Sequence, residues 1–281
     1  MNVTVLGASG FIGRPLVAAL RQRGEAVTTA STREPAAAVS ACDGADVVVN
    51  LAGEPVAQRW TADAKRAIRA SRVDGTRAIV DGFAHLERKP RAYVSASAIG
   101  YYGTSEDATF TESSPPGTDF LAEVCAAWEA EADRAVAYGM RVTKVRTGIV
   151  LGRDGGALAK LLPIFRIGGG GRVGDGKQWY SWVALEDQIG IYLHAIDGVD
   201  GVLDATAPNP VRNAEFTQAL AGTVRRPAIF PVPAFALRAM LGEGAQVVVR
   251  GQRVLPERTL ATGYRFRYET IGAALRAALG P

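Results

Sequence analysis

The sequence predicts an α/β fold, a doubly wound parallel sheet followed by a smaller C-terminal lobe. Three observations carry that expectation. Short apolar runs alternate with amphipathic helical stretches from Val3 to Leu151. The first run empties into a glycine turn, V-T-V-L-G-A-S-G-F-I-G, placed directly before a helix. Composition is that of a globular chain, with 48% apolar and 21% charged residues over 281 positions.

In order, Val3, Val5 and Leu6 make the first buried strand, and Ile12, Leu16, Val17 and Leu20 fall on one stripe of the helix that follows. Gly24 stands where that helix stops. Between strand and helix lie Gly7, Ser9, Gly10, Phe11, Ile12 and Gly13. Glycine lets the backbone turn tightly and approach a diphosphate, and the helix start offers unpaired N–H groups with a partial positive charge. The spacing is G-x-x-G-x-x-G rather than G-x-G-x-x-G. With a strand before it and an amphipathic helix after it, the turn reads as a dinucleotide site, and the sheet as Rossmann-type.

Ala26–Ala30 form the second strand, ending in Ser31-Thr32-Arg33. An acid at that point would hold an adenosine ribose and repel a 2′-phosphate, whereas Arg33 can grip the phosphate. The expected cofactor is therefore NADP(H) rather than NAD, unless Arg33 is simply a solvated loop residue. Val47–Leu51 form the third strand, and Leu51, Ala52 and Gly53 lie beside the crevice. Thr61 to about Gly82 reads as a helix whose Lys65, Arg66, Arg69 and Arg72 make a mostly solvated face, from which Arg69 or Arg72 can reach the site.

Pro90 introduces a fourth strand, Ala92–Ser95, followed by Ser95-Ala96-Ser97-Ala98-Ile99-Gly100-Tyr101-Tyr102-Gly103. Hydroxyls there can face a nicotinamide and hydrogen-bond a substrate oxygen, or belong to an ordinary strand end beside a buried aromatic. The polar loop through Pro115-Pro116 to Thr118 is long enough to cover a substrate. Thr118 or Asp119 caps a helix to about Tyr138, stopped by Gly139. On it Leu121, Cys125 and Trp128 share a face, making Cys125 a small buried hydrophobe. Val142–Val145 form a fifth strand leading to Arg146-Thr147-Gly148. Ser95 and Arg146, at the ends of their strands, are placed among the cofactor contacts.

Beyond Gly152 the pattern turns irregular, over about 153–183. Trp179-Tyr180-Ser181-Trp182 suit either a flat ligand or hairpin packing. Glu186–Ile196 reads as a helix and Val202–Ala205 as a further strand. Pro227, Pro231, Pro233 and Pro256 punctuate the remainder, with helices at Ala234–Leu241 and Ile271–Leu279. Helix and strand patterns compete over Gln246–Leu255. The expected division is a nucleotide-binding domain over 1–225 and a small lobe over 226–281.

The net charge of +4 is interspersed, without the clustered basic face of a nucleic-acid binder. Nothing approaches 18 consecutive apolar residues, so no membrane span is expected. The chain begins almost at its first strand, with no room for a secretory signal, and Cys42 and Cys125 make no disulfide framework. A cytoplasmic location is expected. His85 and His194 fall in no metal-spaced cluster, so no metal site is expected. No G-x-S-x-G suggests a hydrolase.

These stretches, together with N-L-A-G-E-P-V at Asn50, R-T-G-I-V-L-G at Arg146, G-K-Q-W-Y-S-W-V at Gly176 and G-Q-R-V-L-P-E-R at Gly251, resemble the extended short-chain dehydrogenase/reductases. The resemblance is to an atypical, sugar-nucleotide-epimerase (SulA-related) branch and spans nearly the whole chain. It implies a Rossmann-type sheet and NADP(H). In that superfamily Ser works with a Tyr and a Lys four residues later, because a phenol exchanges protons near neutral pH only beside a cation. Ser97 matches the serine, but Leu121 and Cys125 occupy the Tyr and Lys positions, and no Y-x-x-x-K occurs. Two readings follow. One is an NADP(H)-dependent oxidoreductase or epimerase on an unidentified carbonyl or sugar-nucleotide-like substrate, with Ser97 and Tyr101 or Tyr102 as its acid/base groups. Ser95 and Glu123 are the substitute donors. The other is an NADP(H)-binding regulatory or redox-sensing module without turnover. Superfamily relatives often dimerise, so a homodimer is possible.

Overall fold

A computed structural model describes residues 1–280. Six strands form its central sheet: β1 (Asn2–Leu6), β2 (Ala26–Ala30), β3 (Val47–Asn50), β4 (Ala92–Ala98), β5 (Arg141–Thr147) and β6 (Gly201–Ala205). All neighbours are parallel, in the order β6-β5-β4-β3-β1-β2. The five strand–helix steps of the sequence are present, and the strand at Val202–Ala205 joins them as a sixth at the edge beside β5. The chain winds one way from β1 to β2 and the other way from β3 onward. That reversal opens a crevice at the carboxyl ends of β1 and β3, where such folds hold ligands.

Up to residue 224 the α-helices are α1 (Gly13–Gln22), α2 (Pro35–Ser40), α3 (Ala62–Gly82), α4 (Phe120–Asp133), α5 (Gly156–Arg166), α6 (Leu185–Ile196) and α7 (Asn213–Val224). Leu16, Val17 and Leu20 of α1 pack with Ile189, Tyr192 and Ile196 of α6 on Val3, Val5, Val49 and Val94. The opposite face carries Leu6, Val48 and Tyr93 under Ala38 of α2, Ile79 and Val80 of α3 and Ala132 of α4. Side chains alternate in direction along a strand, so one strand feeds both cores. The caps follow local chemistry. Thr61 accepts the Ala64 N–H at 3.1 Å and Asp119 accepts the Ala122 N–H at 3.0 Å. Gly139 ends the short 3₁₀ extension of α4 at a φ of +79°.

The region about 153–183 departs from its expected irregularity. It contains α5, with Leu158, Leu162 and Phe165 buried. Gly155, Gly156 and Pro163 are helix breakers by propensity, but the buried stripe outweighs the hydrogen bond that Pro163 cannot make. The division at 225 also differs from the packing. A second core joins Leu158, Leu162 and Trp182 to Phe216 and Leu220, and then to Ile271 and Leu275 from the terminal helix Ile271–Leu279. The lobe is therefore built from both sides of residue 225. Gln246–Leu255 resolves into both competing patterns, a helical turn at Gln246–Val249 and a strand at Arg253–Val254.

The long loop before α4 is tied down rather than free to cover a ligand. Thr109–Phe110 pairs in parallel with Arg253–Val254. Glu112, 8% exposed, accepts N–H bonds from Asp204, Arg258 and Thr259 at 3.2, 3.0 and 2.8 Å. The aromatic run is similarly spent on packing. Trp182 and Tyr180 are buried, and Trp179 is covered by the Arg212 guanidinium 3.8 Å from its ring centroid. Two of these rings are core and the third stacks with arginine, as in hairpin packing.

Candidate functional site

The crevice begins at the glycine turn. Gly7 takes a φ of +78°, and a Cβ there would sit 3.0 Å from the Ala52 nitrogen and the Leu51 carbonyl carbon. A Cβ on Gly13 would sit 2.5 Å from the Gly7 oxygen and 2.7 Å from the Ala8 Cα. Those approaches require glycine, since backbone cannot yield as a flexible side chain can. Ser9 and Gly10 are exposed at the tip, and Ile12 packs on the sheet core. Phe11 points away from the crevice, into a glycine-walled recess. Cβ atoms on Gly152 and Gly155 would meet its ring at 2.8 and 2.2 Å. Only the Phe11 backbone is left to face a phosphate. Arg33 is exposed at the end of β2, and its guanidinium makes no hydrogen bond among the described residues.

The second wall is Leu51-Ala52-Gly53. Its shape is set by Asn50, 1% exposed, which accepts the Ala52 N–H at 3.1 Å and donates to the Tyr93 hydroxyl at 2.9 Å. Thr76 Oγ1 accepts from Asn50 Nδ2 at 3.4 Å and from Trp128 Nε1 at 2.9 Å, linking this loop to α3 and α4. Arg69 is exposed, but Arg72 turns inward. Its guanidinium lies 5.3 Å from the Trp128 ring centroid and donates to the Glu54 and Ile68 carbonyls at 2.9 and 3.2 Å.

Three expected site residues have other duties. Ser97, 3% exposed, donates to Glu129 Oε1 at 2.6 Å. Arg146, also 3% exposed, grips Glu129 through Nε and Nη2 at 2.7 and 2.8 Å, and its Nη1 donates to the Tyr102 hydroxyl at 2.9 Å. Tyr102 in turn donates to Asp204, with 2.8 Å to each carboxylate oxygen. Burial, then the Asp204 carboxylate, pushes the Tyr102 phenol well above its ordinary range. Burial alone would pull the Arg146 guanidinium down, but the Glu129 contacts outweigh it and raise it. Arg146 is thus spent on a buried carboxylate instead of a phosphate, and neither Ser97 nor Tyr102 has a free hydroxyl to offer a substrate. Ser95, 1% exposed, donates only to the Ala96 carbonyl at 3.0 Å. Tyr101 differs: it is half-buried, and its ring lies 3.4 Å from the Arg146 Cζ.

The positions of the missing Tyr and Lys do face the end of β4. A Cβ on Gly100 would lie 3.3 Å from Leu121 Cβ and 3.9 Å from Cys125 Sγ. Burial pushes the Cys125 thiol up to about 12, so it stays protonated and gives no nucleophile. Glu129 is one turn further along the same face, four residues after Cys125. An acid on the buried Leu121–Cys125 stripe was the sequence signal that it had an internal partner.

A glycine-cradled crevice at the switch point of a parallel sheet defines a dinucleotide-binding protein of the Rossmann type. Comparison with known proteins refines the class. The profile of the "NAD dependent epimerase/dehydratase family" matches residues 3–206, and that of a domain of unknown function, DUF1731, matches 232–278. The "Epimerase family protein SDR39U1 homolog, chloroplastic" of Arabidopsis thaliana is 44% identical, over 99% of this chain and 86% of its own. The crystal structure of human epimerase family protein SDR39U1 (isoform 2) with NADPH superposes at a TM-score of 0.92, at 36% identity and 99% coverage of both chains. A nucleoside-diphosphate sugar epimerase from Corynebacterium glutamicum gives 0.82 at 35% identity, covering all of this chain and 58% of the other. The chain belongs to the NAD dependent epimerase/dehydratase family, in its SDR39U1-like branch. No helix among the described residues is long and apolar enough to cross a membrane.

Proposed function

We propose that this chain binds NADP(H) and acts as a reductase rather than as an epimerase. The cradle fits the nucleotide: Gly7, Gly10 and Gly13 leave room for a diphosphate against the backbone of Ser9, Phe11 and Ile12. Arg33 is free to pair with a 2′-phosphate, and Leu51-Ala52-Gly53 walls the nicotinamide half. NADPH bound to a human relative supports the same choice of nucleotide. Bound there, the nucleotide supplies a hydride.

The single observation that supports reduction over epimerisation is the locked Ser97–Glu129–Arg146–Tyr102 chain. Epimerisation starts by removing a proton from an alcohol, and these residues hold no base for that step. Reduction of an electron-poor carbonyl asks less, because the product oxygen can take its proton from Tyr101 or from water. The same locked chain favours one second reading, an NADP(H)-binding regulatory module without turnover. The proposed setting is the cytoplasm, although the plant relative is named chloroplastic, with a homodimer as the proposed assembly.

The test is a titration of the purified chain with NADPH and NADH, followed by single-turnover absorbance with carbonyl acceptors and keto-sugar nucleotides. Faster oxidation of NADPH than of NADH by a carbonyl acceptor supports the reductase. Tight NADPH binding with no oxidation by any acceptor moves the assignment to the module. No binding of either nucleotide overturns both.

A further inference from the structure

Resting on the NADP(H) reading, one half-buried cation stands out. Arg72 forms no ion pair among the described residues, and only its Nη1 is hydrogen-bonded, to two backbone carbonyls. Burial holds its pKa below the ordinary arginine value. A desolvated guanidinium is costly unless something anionic or rich in oxygen meets it. Nη2 and Nε lack a protein partner, yet neither is among the polar atoms sealed from solvent without one. That edge therefore opens outward rather than into the core.

The guanidinium lies against the crevice wall. A Cβ on Gly53 would meet Arg72 Cζ and Nη2 at 3.1 Å each, so the guanidinium lies flat against the wall loop. The same loop abuts Gly7 of the phosphate turn. Its strand, β3, lies on the opposite side of β1 from β2, where Arg33 stands. A dinucleotide spread across the switch point puts its adenine half toward β2 and its nicotinamide half toward β3 and β4. Trp128, fixed by its bond to Thr76, supports the guanidinium from α4, one turn beyond Cys125.

We infer that Arg72 is a cofactor-binding residue: its free guanidinium edge holds the ribose and phosphate oxygens of the nicotinamide half of NADP(H). A cation from α3 thereby serves the end of the crevice where α4 presents only Leu121 and Cys125.

The test measures two ligands on the full chain, NADPH by nicotinamide fluorescence and 2′,5′-ADP, which lacks the nicotinamide half, by calorimetry. Arg72→Gln is expected to weaken NADPH about tenfold or more while 2′,5′-ADP stays within about twofold, as loss of a charge-assisted bond predicts. Arg72→Lys keeps the charge but not the planar fork. It is expected to weaken NADPH by about threefold and leave 2′,5′-ADP unchanged, which carries the test if the glutamine variant does not fold. Unchanged NADPH affinity in the folded variants overturns the inference, as does an equal loss for both ligands, the sign of a purely structural arginine. Absence of NADPH binding by the wild-type chain overturns the functional reading instead.

Discussion

The buried pair Arg146–Glu129 offers the sharpest test of whether the strand-end residues belong to structure or to cofactor. Their side chains are 3% and 7% exposed, and both guanidinium–carboxylate contacts are under 2.9 Å. Arg146→Met leaves Glu129 buried without a cation and frees the Tyr102 hydroxyl of one donor. Removing one partner of such a pair costs about 3–5 kcal/mol. At about 2 °C per kcal/mol for a chain of this length, Tm should fall by about 6–10 °C. NADPH affinity, measured below the new Tm, should stay within about twofold, because four of the five Arg146 N–H groups are already bonded inside the protein. The double variant Arg146→Met/Glu129→Leu replaces both charges with apolar groups and should be more stable than Glu129→Leu alone. Thermal and urea unfolding beside a fluorescence titration read all three. An unchanged Tm with a tenfold or larger loss of NADPH affinity, an effect of about 1.4 kcal/mol on binding alone, would falsify the structural assignment.

Other consequences follow from individual residues. Burial, then the nearby Glu112 carboxylate, holds Asp204 well above the usual carboxylate range, so folding takes up a proton. The stability it contributes is complete below the unfolded carboxylate pKa and is lost as pH rises through the raised folded value. Asp204→Asn should therefore gain on wild type as pH rises above the ordinary carboxylate range in urea unfolding, and a flat difference would remove Asp204 as the cause. Gly13→Ala drives a Cβ into backbone and should abolish nucleotide binding in the same titration. Its control is Gly222→Ala in α7, where a Cβ meets nothing within 4 Å, and that change should stabilise by about 0.5–1 kcal/mol. Arg33→Ala should reduce the preference for NADPH over NADH by about tenfold without altering NADH affinity, and an equal loss for both nucleotides would place Arg33 away from the 2′-phosphate.

What was legible in the sequence was local. The strand Asn2–Leu6, the helix stripe of Leu16, Val17 and Leu20, the helix start at Thr61 and a cap at Thr118 or Asp119 all depend on neighbours a few residues away. The glycine turn was legible for the same reason: the demand on Gly13 lies within seven residues, although the approach of Gly7 to Leu51 and Ala52 does not. Helix α5 was not, because Gly155, Gly156 and Pro163 argue against a helix by propensity and the compensation comes from Phe216 and Leu275 far along the chain. The partners of Ser97, Tyr102 and Arg146 were not legible, for a deeper reason. Hydroxyl and cationic side chains at the ends of parallel strands suit a catalytic site and a buried polar network equally, and the sequence separates the two only through partners. Glu129 lies 32 residues from Ser97, and Asp204 lies 102 from Tyr102. Arg72 shows the converse: on a helix with four other cations the sequence left it as either a solvated residue or one of two arginines that reach the site, and the glycine beside it and the indole beneath it show that it turns inward. The distinction that matters is whether a buried polar group has its partners inside the protein. Arg146 has four internal bonds and a buried carboxylate; Arg72 has two bonds to carbonyls and no ion pair among the described residues, a deficit that a bound nucleotide can fill.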